Sequence, residues 1–211
     1  HLSIRRQRQM CIRDRLYSNV FMKHFTEFKD QPHTVWESRL DTTIDIKPVF
    51  TLNHATRQNE VFVQDQRNNI YLINQAGRIL WKIRLDEKIT GEIFQVDYYK
   101  NGKLQILFST PNYIHLIDRN GNYVEKYPIK LRSKATNPLA VFDYENNRNY
   151  RLFIAGSDRR IYAYSLDGSL VKGWDFDKTE SHVRQPVNHF RAGNRDFIVF
   201  GDRLRTYILD R

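Results

Sequence analysis

A repeat of about 45 residues is the feature that most constrains the fold of this chain. Residues 70–74 are an apolar run that recurs at 114–118, 161–165 and 206–210, with starting points 44, 47 and 45 positions apart. In the first three copies a glycine follows three residues later. Because glycine, Asn and Asp adopt positive φ at little cost, such residues between two alternating runs predict a β-hairpin.

Two further apolar runs precede each hairpin, so each unit contains four short strands joined by polar turns. Four strands in about 45 residues are typical of a propeller blade. The sequence therefore predicts an all-β fold, a β-propeller segment over residues 34–211 with four-stranded antiparallel blades. The predicted blades cover residues 44–90, 91–136, 137–183 and 184–211.

The last unit supplies three strands, which leaves two arrangements open. Residues 34–40 contain Trp36, which lies 45 positions before Trp81 in an outer strand, and they could complete the sheet of 184–211 and close a four-bladed ring. The alternative is an open, partial propeller that belongs to a larger protein. Trp36, Trp81 and Trp174 lie at or near one blade position, and we interpret them as the packing residue of the repeat.

The first 33 residues do not follow the repeat. Residues 1–15 resemble the translated read-through of a sequencing adapter, so we interpret them as an artefact, the alternative being a disordered basic arm. Without them the net charge falls from +10 to +6, and the single cysteine, Cys11, is lost. Residues 16–33 are an uncertain lead-in, either a strand of a preceding blade or part of a neighbouring domain.

Composition limits the class of protein. Hydrophobic residues make up 40% and charged residues 27% of the chain, which is typical of a globular domain. No run of 18 apolar residues exists, so we predict no transmembrane segment. The compartment stays open between cytoplasm, periplasm and cell surface, with a cell-envelope or extracytoplasmic location favoured.

The hairpins at 70–82 and 161–174 resemble the repeat of quinoprotein-like propellers, a class that includes pyrroloquinoline-quinone enzymes and proteins without a cofactor. Residues 97–103, 118–122, 142–148 and 172–174 are similar to the C-terminal propeller of large uncharacterised bacterial proteins. The second resemblance implies a bacterial fragment that carries no catalytic residue. We therefore expect a non-catalytic binding or scaffolding domain without a cofactor, and a quinoprotein-type enzyme is the first rival.

A calcium-stabilised, adhesion-type propeller is the second rival. Asp143, Glu145 and Asn147 place oxygen ligands at alternate positions, as calcium loops do, and they resemble worn calcium-binding turns of integrin-type propellers. The turn-forming preference of Asn and Asp explains the same residues without a metal. Only three ligands are visible where Ca²⁺ takes six to eight.

The remaining candidates lie in loops that a propeller places on one face. Lys and Arg number eleven and Asp and Glu ten on that face, a near balance that argues against nucleic acid and favours a protein or glycan partner. His115 occupies the position of Tyr71 in another copy and is predicted to lie on the strand surface. The candidate partner-binding residues are Arg159, Arg160, Arg203, Arg205, Glu180 and His182.

Overall fold

The computed structural model describes residues 34–211, and this part of the chain contains fourteen strands and no helix. The described residues therefore include no helix that could cross a membrane. The adapter-like segment 1–15 with Cys11, and the lead-in 16–33, lie outside the described residues. The strands are β1 (Val49–Leu52), β2 (Asn59–Gln64), β3 (Asn69–Ile73), β4 (Ile79–Arg84), β5 (Thr90–Val96), β6 (Gln105–Ser109), β7 (Tyr113–Ile117), β8 (Ile129–Lys130), β9 (Ala140–Phe142), β10 (Arg151–Ala155), β11 (Ile161–Ser165), β12 (Asn188–Ala192), β13 (Arg195–Gly201) and β14 (Thr206–Asp210).

The strands form four antiparallel sheets, and within each sheet every strand pairs with the next one along the chain. Sheet 1 contains β1–β4, sheet 2 contains β5–β8, sheet 3 contains β9–β11 and sheet 4 contains β12–β14. This arrangement confirms the predicted all-β propeller class. The hairpin between β3 and β4 has the predicted turn, in which the Gly77 N–H donates to the Asn74 carbonyl at 2.9 Å.

Side chains alternate between the two faces of each strand, and in sheets 2 and 3 both faces of the sheet are buried. In sheet 2, Phe108 and Ile106 pack with Phe62 and Leu72 of sheet 1. The Phe62 and Phe108 rings lie 5.8 Å apart. Leu107 lies between Ile106 and Phe108 in the sequence but belongs to a different core cluster. Neighbouring residues on one strand thus serve two interfaces, because successive side chains point to opposite faces.

The same packing continues along the chain. Leu107 and Leu116 of sheet 2 share a core with residues of sheet 3, and Phe153 of sheet 3 shares another with Ile198 and Phe200 of sheet 4. Within residues 34–211 no core cluster joins sheet 4 to sheet 1. The propeller described here is therefore an open one.

The outer strands differ from the predicted repeat. In sheet 2 the strand expected at 123–127 is reduced to one bridge between Tyr123 and Ile117, after which the chain turns and the short β8 follows. Lys126 has φ 70°, outside the range of a strand. In sheet 3 the strand expected at 170–174 is likewise reduced to a bridge between Leu170 and Tyr164.

Residues 34–40 contain no strand, and sheet 4 has three strands rather than four. The free face of sheet 4 carries Phe190 and Ile208, which are 44% and 60% exposed. The described residues thus show the open arrangement and not the closed four-bladed ring.

Candidate functional site

An aspartate fixes the loop between the second and third strands in three of the four sheets. A hydroxyl of the third strand donates to its carboxylate, while backbone N–H groups of the loop donate to the same side chain. The Tyr occupies the same position of the repeated third strand in all three sheets and the Asp lies in the preceding loop, so the bond joins the loop to the sheet. The pairs are Asp65 with Tyr71 at 2.9 Å, Asp158 with Tyr162 at 2.5 Å, and Asp202 with Tyr207 at 3.1 Å.

The loop of sheet 4 shows what this arrangement does to the surface. The Asp202 carboxylate accepts from the backbone N–H of Leu204 at 2.8 Å and of Ser181 at 3.0 Å. These bonds hold the pKa of Asp202 well below its usual range. The carboxylate accepts hydrogen bonds from the loop backbone. Exposed at the loop tip are Arg203, Leu204 and Arg205. Leu204 is 75% exposed.

The segment between sheets 3 and 4 packs against this loop. The carbonyl of Glu180 accepts from the Arg159 guanidinium at 3.0 Å, and the Glu180 carboxylate lies 2.7 Å from the Arg205 guanidinium. The imidazole of His182 lies 3.0 Å from the Ser157 carbonyl oxygen. Residues from three loops are thereby held in one place.

We call this region the basic loop surface and define it as residues 157–160, 177–184 and 202–205. All six residues predicted to bind a partner lie on it and are exposed. In the part of the chain that the structure describes, the side chains of Arg159 and Arg203 form no salt bridge, and Arg160 is 3.8 Å from an oxygen of the exposed Asp177. Exposed ion pairs of this kind are weak, so the guanidinium groups are available to a partner.

The calcium candidate lies in the turn between β9 and β10. The Asp143 carboxylate accepts from the backbone N–H of Asn147 at 3.0 Å and of Arg148 at 2.8 Å. Glu145 accepts from the Asn147 amide at 2.9 Å and pairs with the Arg211 guanidinium at 2.7 Å, which lowers the pKa of that carboxyl. The carboxylate oxygens of Asp143 and Glu145 thus already accept hydrogen bonds from groups of the protein.

The equivalent turn of sheet 2 has the same bonds, with Asp97 accepting from the N–H groups of Asn101 and Gly102 at 3.0 and 2.8 Å. Across residues 34–211 no group of three or more His, Cys, Asp or Glu side chains is placed to hold a metal ion. Turn chemistry therefore accounts for the three residues, and calcium binding by Asp143, Glu145 and Asn147 stays a prediction.

The prediction that His115 lies on the strand surface is wrong. Its side chain is 6% exposed and stacks on the Phe108 ring, with centroids 4.9 Å apart. The ring nitrogens lie 2.9 Å from the Tyr123 hydroxyl and 3.3 Å from the Thr110 hydroxyl. Burial lowers the pKa of His115 to about 4, so the imidazole is neutral at pH 7. Tyr71, at the same repeat position, is buried as well.

No protein-family model matches the sequence, and no curated protein matches it. The chain is similar to solved structures of BBS1N in complex with ARL6DN. With a lead-soaked crystal the TM-score is 0.56 at 10% identity, over 80% of this chain and 52% of that chain. With a mercury-soaked crystal the TM-score is 0.55 at 15% identity, over 81% of this chain and 51% of that chain.

The Pan2 WD40 domain of Neurospora crassa has a TM-score of 0.49 at 11% identity, over 76% of this chain and 45% of that chain. The chain thus spans about half the length of the BBS1N chains. At this level of identity the similarity concerns the fold alone. The stacked four- and three-stranded sheets and the likeness to BBS1N together identify the fold of this chain as a β-propeller.

Proposed function

We propose that this chain is a non-catalytic binding domain that docks an acidic segment of another protein on the basic loop surface. The observation that carries the proposal is the exposed sequence Arg203-Leu204-Arg205, held at a loop tip next to Arg159 and Arg160. Loops on a rigid β-scaffold are a common location for binding residues.

The chemistry of the surface favours a protein partner. Arginine is enriched among the residues that dominate binding energy at protein interfaces, and its planar group binds carboxylates in a bidentate manner. Leu204 adds an apolar contact at the centre of these charges. A partner segment that combines Asp or Glu with an apolar side chain would complement both features.

The mixed charges on the same surface disfavour a nucleic acid. Glu180 and Asp177 stand beside the arginines and would repel a phosphate backbone, whereas a protein segment can avoid them or pair with them. BBS1N offers a parallel for a propeller with a protein partner, since it crystallised in complex with ARL6DN.

The test is a peptide-display selection with the 211-residue chain as bait, followed by affinity measurements on the selected peptides. We expect peptides rich in Asp or Glu with at least one large apolar residue. Their affinity should fall about tenfold or more in the triple variant Arg203→Ala, Leu204→Ala, Arg205→Ala, and it should decrease as salt is raised.

A matched control carries Tyr99→Ala and Lys103→Ala, which alter exposed residues in a loop between the first and second strands of sheet 2. Strands alternate in direction, so this loop lies at the opposite end of its sheet from the loops that join second to third strands. The control should bind the peptides as the unaltered chain does. Equal affinity for the triple variant and the unaltered chain would rule out the proposed surface.

A further inference from the structure

The missing outer strand of sheet 3 leaves a cavity at the interface with sheet 4. After β11 the chain makes two cross-strand bonds, from the Ser165 N–H to the Ser169 carbonyl at 2.8 Å and from the Val171 N–H to the Ala163 carbonyl at 2.9 Å. It then turns at Gly173, whose φ is 84°. The next carbonyl on the same side of the strand, that of Ile161, accepts from the Trp174 indole at 2.7 Å. A side chain thus replaces the backbone of a fourth strand.

Where sheet 1 has the six-residue β4, sheet 3 therefore has an indole and open space. The cavity has a volume of about 320 Å³, within the size range of small-molecule sites. Its apolar wall comprises Phe153, Ala163, Trp174 and Ile198, and the Trp174 and Phe153 rings meet edge to face with centroids 5.0 Å apart. Such a wall suits a flat apolar group.

The polar residues around the cavity differ in how fully they are paired. The carboxylate of Glu145 pairs with Arg211, and that of Asp210 pairs with Arg195. The cations Arg151 and Lys172 also line the cavity, and within residues 34–211 neither forms a salt bridge. The acids are thus neutralised while two cations are not.

Tyr144 supplies a further polar group. It lines the cavity, and its hydroxyl oxygen is buried with no hydrogen-bond partner in the described part of the chain. Buried polar atoms without a partner are rare in folded proteins, since leaving one unpaired costs free energy. Because this oxygen is inaccessible, a ligand in the cavity reaches it only if the Tyr144 side chain shifts.

We propose that the cavity between sheets 3 and 4 binds a small aromatic carboxylate. The ring would lie against Trp174 and Phe153, and the carboxylate would meet Arg151 and Lys172. A neutral aromatic compound would gain only the apolar part of this interaction, and a cation would be repelled. The site is separate from the basic loop surface and does not depend on the proposed protein partner.

The probe is 2-naphthoate, titrated by calorimetry into the 211-residue chain, with 2-naphthalenemethanol as its neutral analogue. We expect the carboxylate to bind at least about tenfold more tightly than the alcohol, because a hydrogen bond to a charged group is stronger than one to a neutral group. The double variant Arg151→Gln, Lys172→Gln should lose this preference. The matched control Arg78→Gln, Lys103→Gln removes two exposed cations elsewhere and should keep it.

A second variant tests the apolar wall. Ala163→Leu adds volume within the cavity and should abolish binding of 2-naphthoate in protein that still shows a cooperative unfolding transition. If this variant does not fold, the charge variants decide alone. The proposal is overturned if the unaltered chain fails to bind 2-naphthoate, if the alcohol binds as tightly, or if the Arg151→Gln, Lys172→Gln variant keeps the preference.

Discussion

The Tyr71 hydroxyl donates a hydrogen bond of 2.9 Å to the Asp65 carboxylate, and neither side chain is more than 1% exposed. Burial alone would raise the pKa of Asp65, but bonds from Asn69, Tyr71 and Arg67 outweigh it and lower that pKa. Burial, with the adjacent Asp65, raises the pKa of Tyr71 to about 12. The pair thus stays a phenol and a carboxylate across the neutral range, and it ties the loop to the sheet.

Removal of this hydroxyl should destabilise the domain. We expect Tyr71→Phe to lower the free energy of unfolding by about 2 kcal/mol, since it leaves a buried carboxylate with one donor fewer. Urea unfolding measures the change. Tyr99→Phe, at a position that is 55% exposed, is the control and should change stability by less than about 0.5 kcal/mol. Equal effects of the two substitutions would contradict the role of the pair.

His115 should make stability depend on pH. Its pKa is about 4 in the folded protein and 6.5 ordinarily, because burial lowers it more than the nearby Glu87 and Asp86 raise it. Between these pH values the unfolded chain binds more protons, so stability is complete above about pH 6.5 and falls as the pH drops toward 4. The shift corresponds to a loss of about 3 kcal/mol.

The measurement is urea unfolding at about pH 7, where the contribution of His115 to stability is complete, and at about pH 4.5, where most of it is lost. His115→Phe keeps an aromatic ring against Phe108 and should lose less stability between the two pH values than the unaltered chain does. The control Leu204→Ala changes an exposed, uncharged residue and should leave the pH dependence unchanged. If His115→Phe loses as much stability between the two pH values as the unaltered chain does, His115 is not the source of the pH dependence.

Gly91 should be far less tolerant of a side chain than Gly102. Both have φ near +80°, but a Cβ at Gly91 would lie 2.4 Å from the Pro138 Cβ, while one at Gly102 would meet nothing within 4 Å. Gly102→Ala should cost about 1–2 kcal/mol of backbone strain. Gly91→Ala should cost about 1–3 kcal/mol more, because Pro138 must move. Thermal unfolding compares the two, and similar melting temperatures would show that the Pro138 contact is unimportant.

The repeat made the first three strands of each sheet, and the outer strand β4 of sheet 1, predictable from the sequence. Hairpin residues such as Asn74 and Gly77 have a backbone preference that acts locally, so their spacing placed β3 and β4 correctly. The loops of the basic loop surface contact one another, as strand alternation leads one to expect, while partner binding by their residues stays a prediction. Their function is a separate question that the fold does not answer.

The outer strands of sheets 2 and 3 were not predictable in the same way. Residues 123–127 alternate as a strand does, yet Lys126 adopts a positive φ, for which lysine has no local preference. At 170–174 the chain leaves the sheet at Gly173, and Trp174 bonds to Ile161 instead. The cavity beside Trp174 follows from that departure, so no sequence pattern indicated it.

The face-to-face stacking of consecutive sheets is the claim on which the fold and both proposed sites depend. A double-mutant cycle on Phe62 of sheet 1 and Phe108 of sheet 2, each changed to Leu, measures it by equilibrium unfolding. With the rings 5.8 Å apart, we expect a coupling energy of about 0.5–1.5 kcal/mol. Strictly additive effects, with no coupling within error, would contradict direct packing of these two sheets.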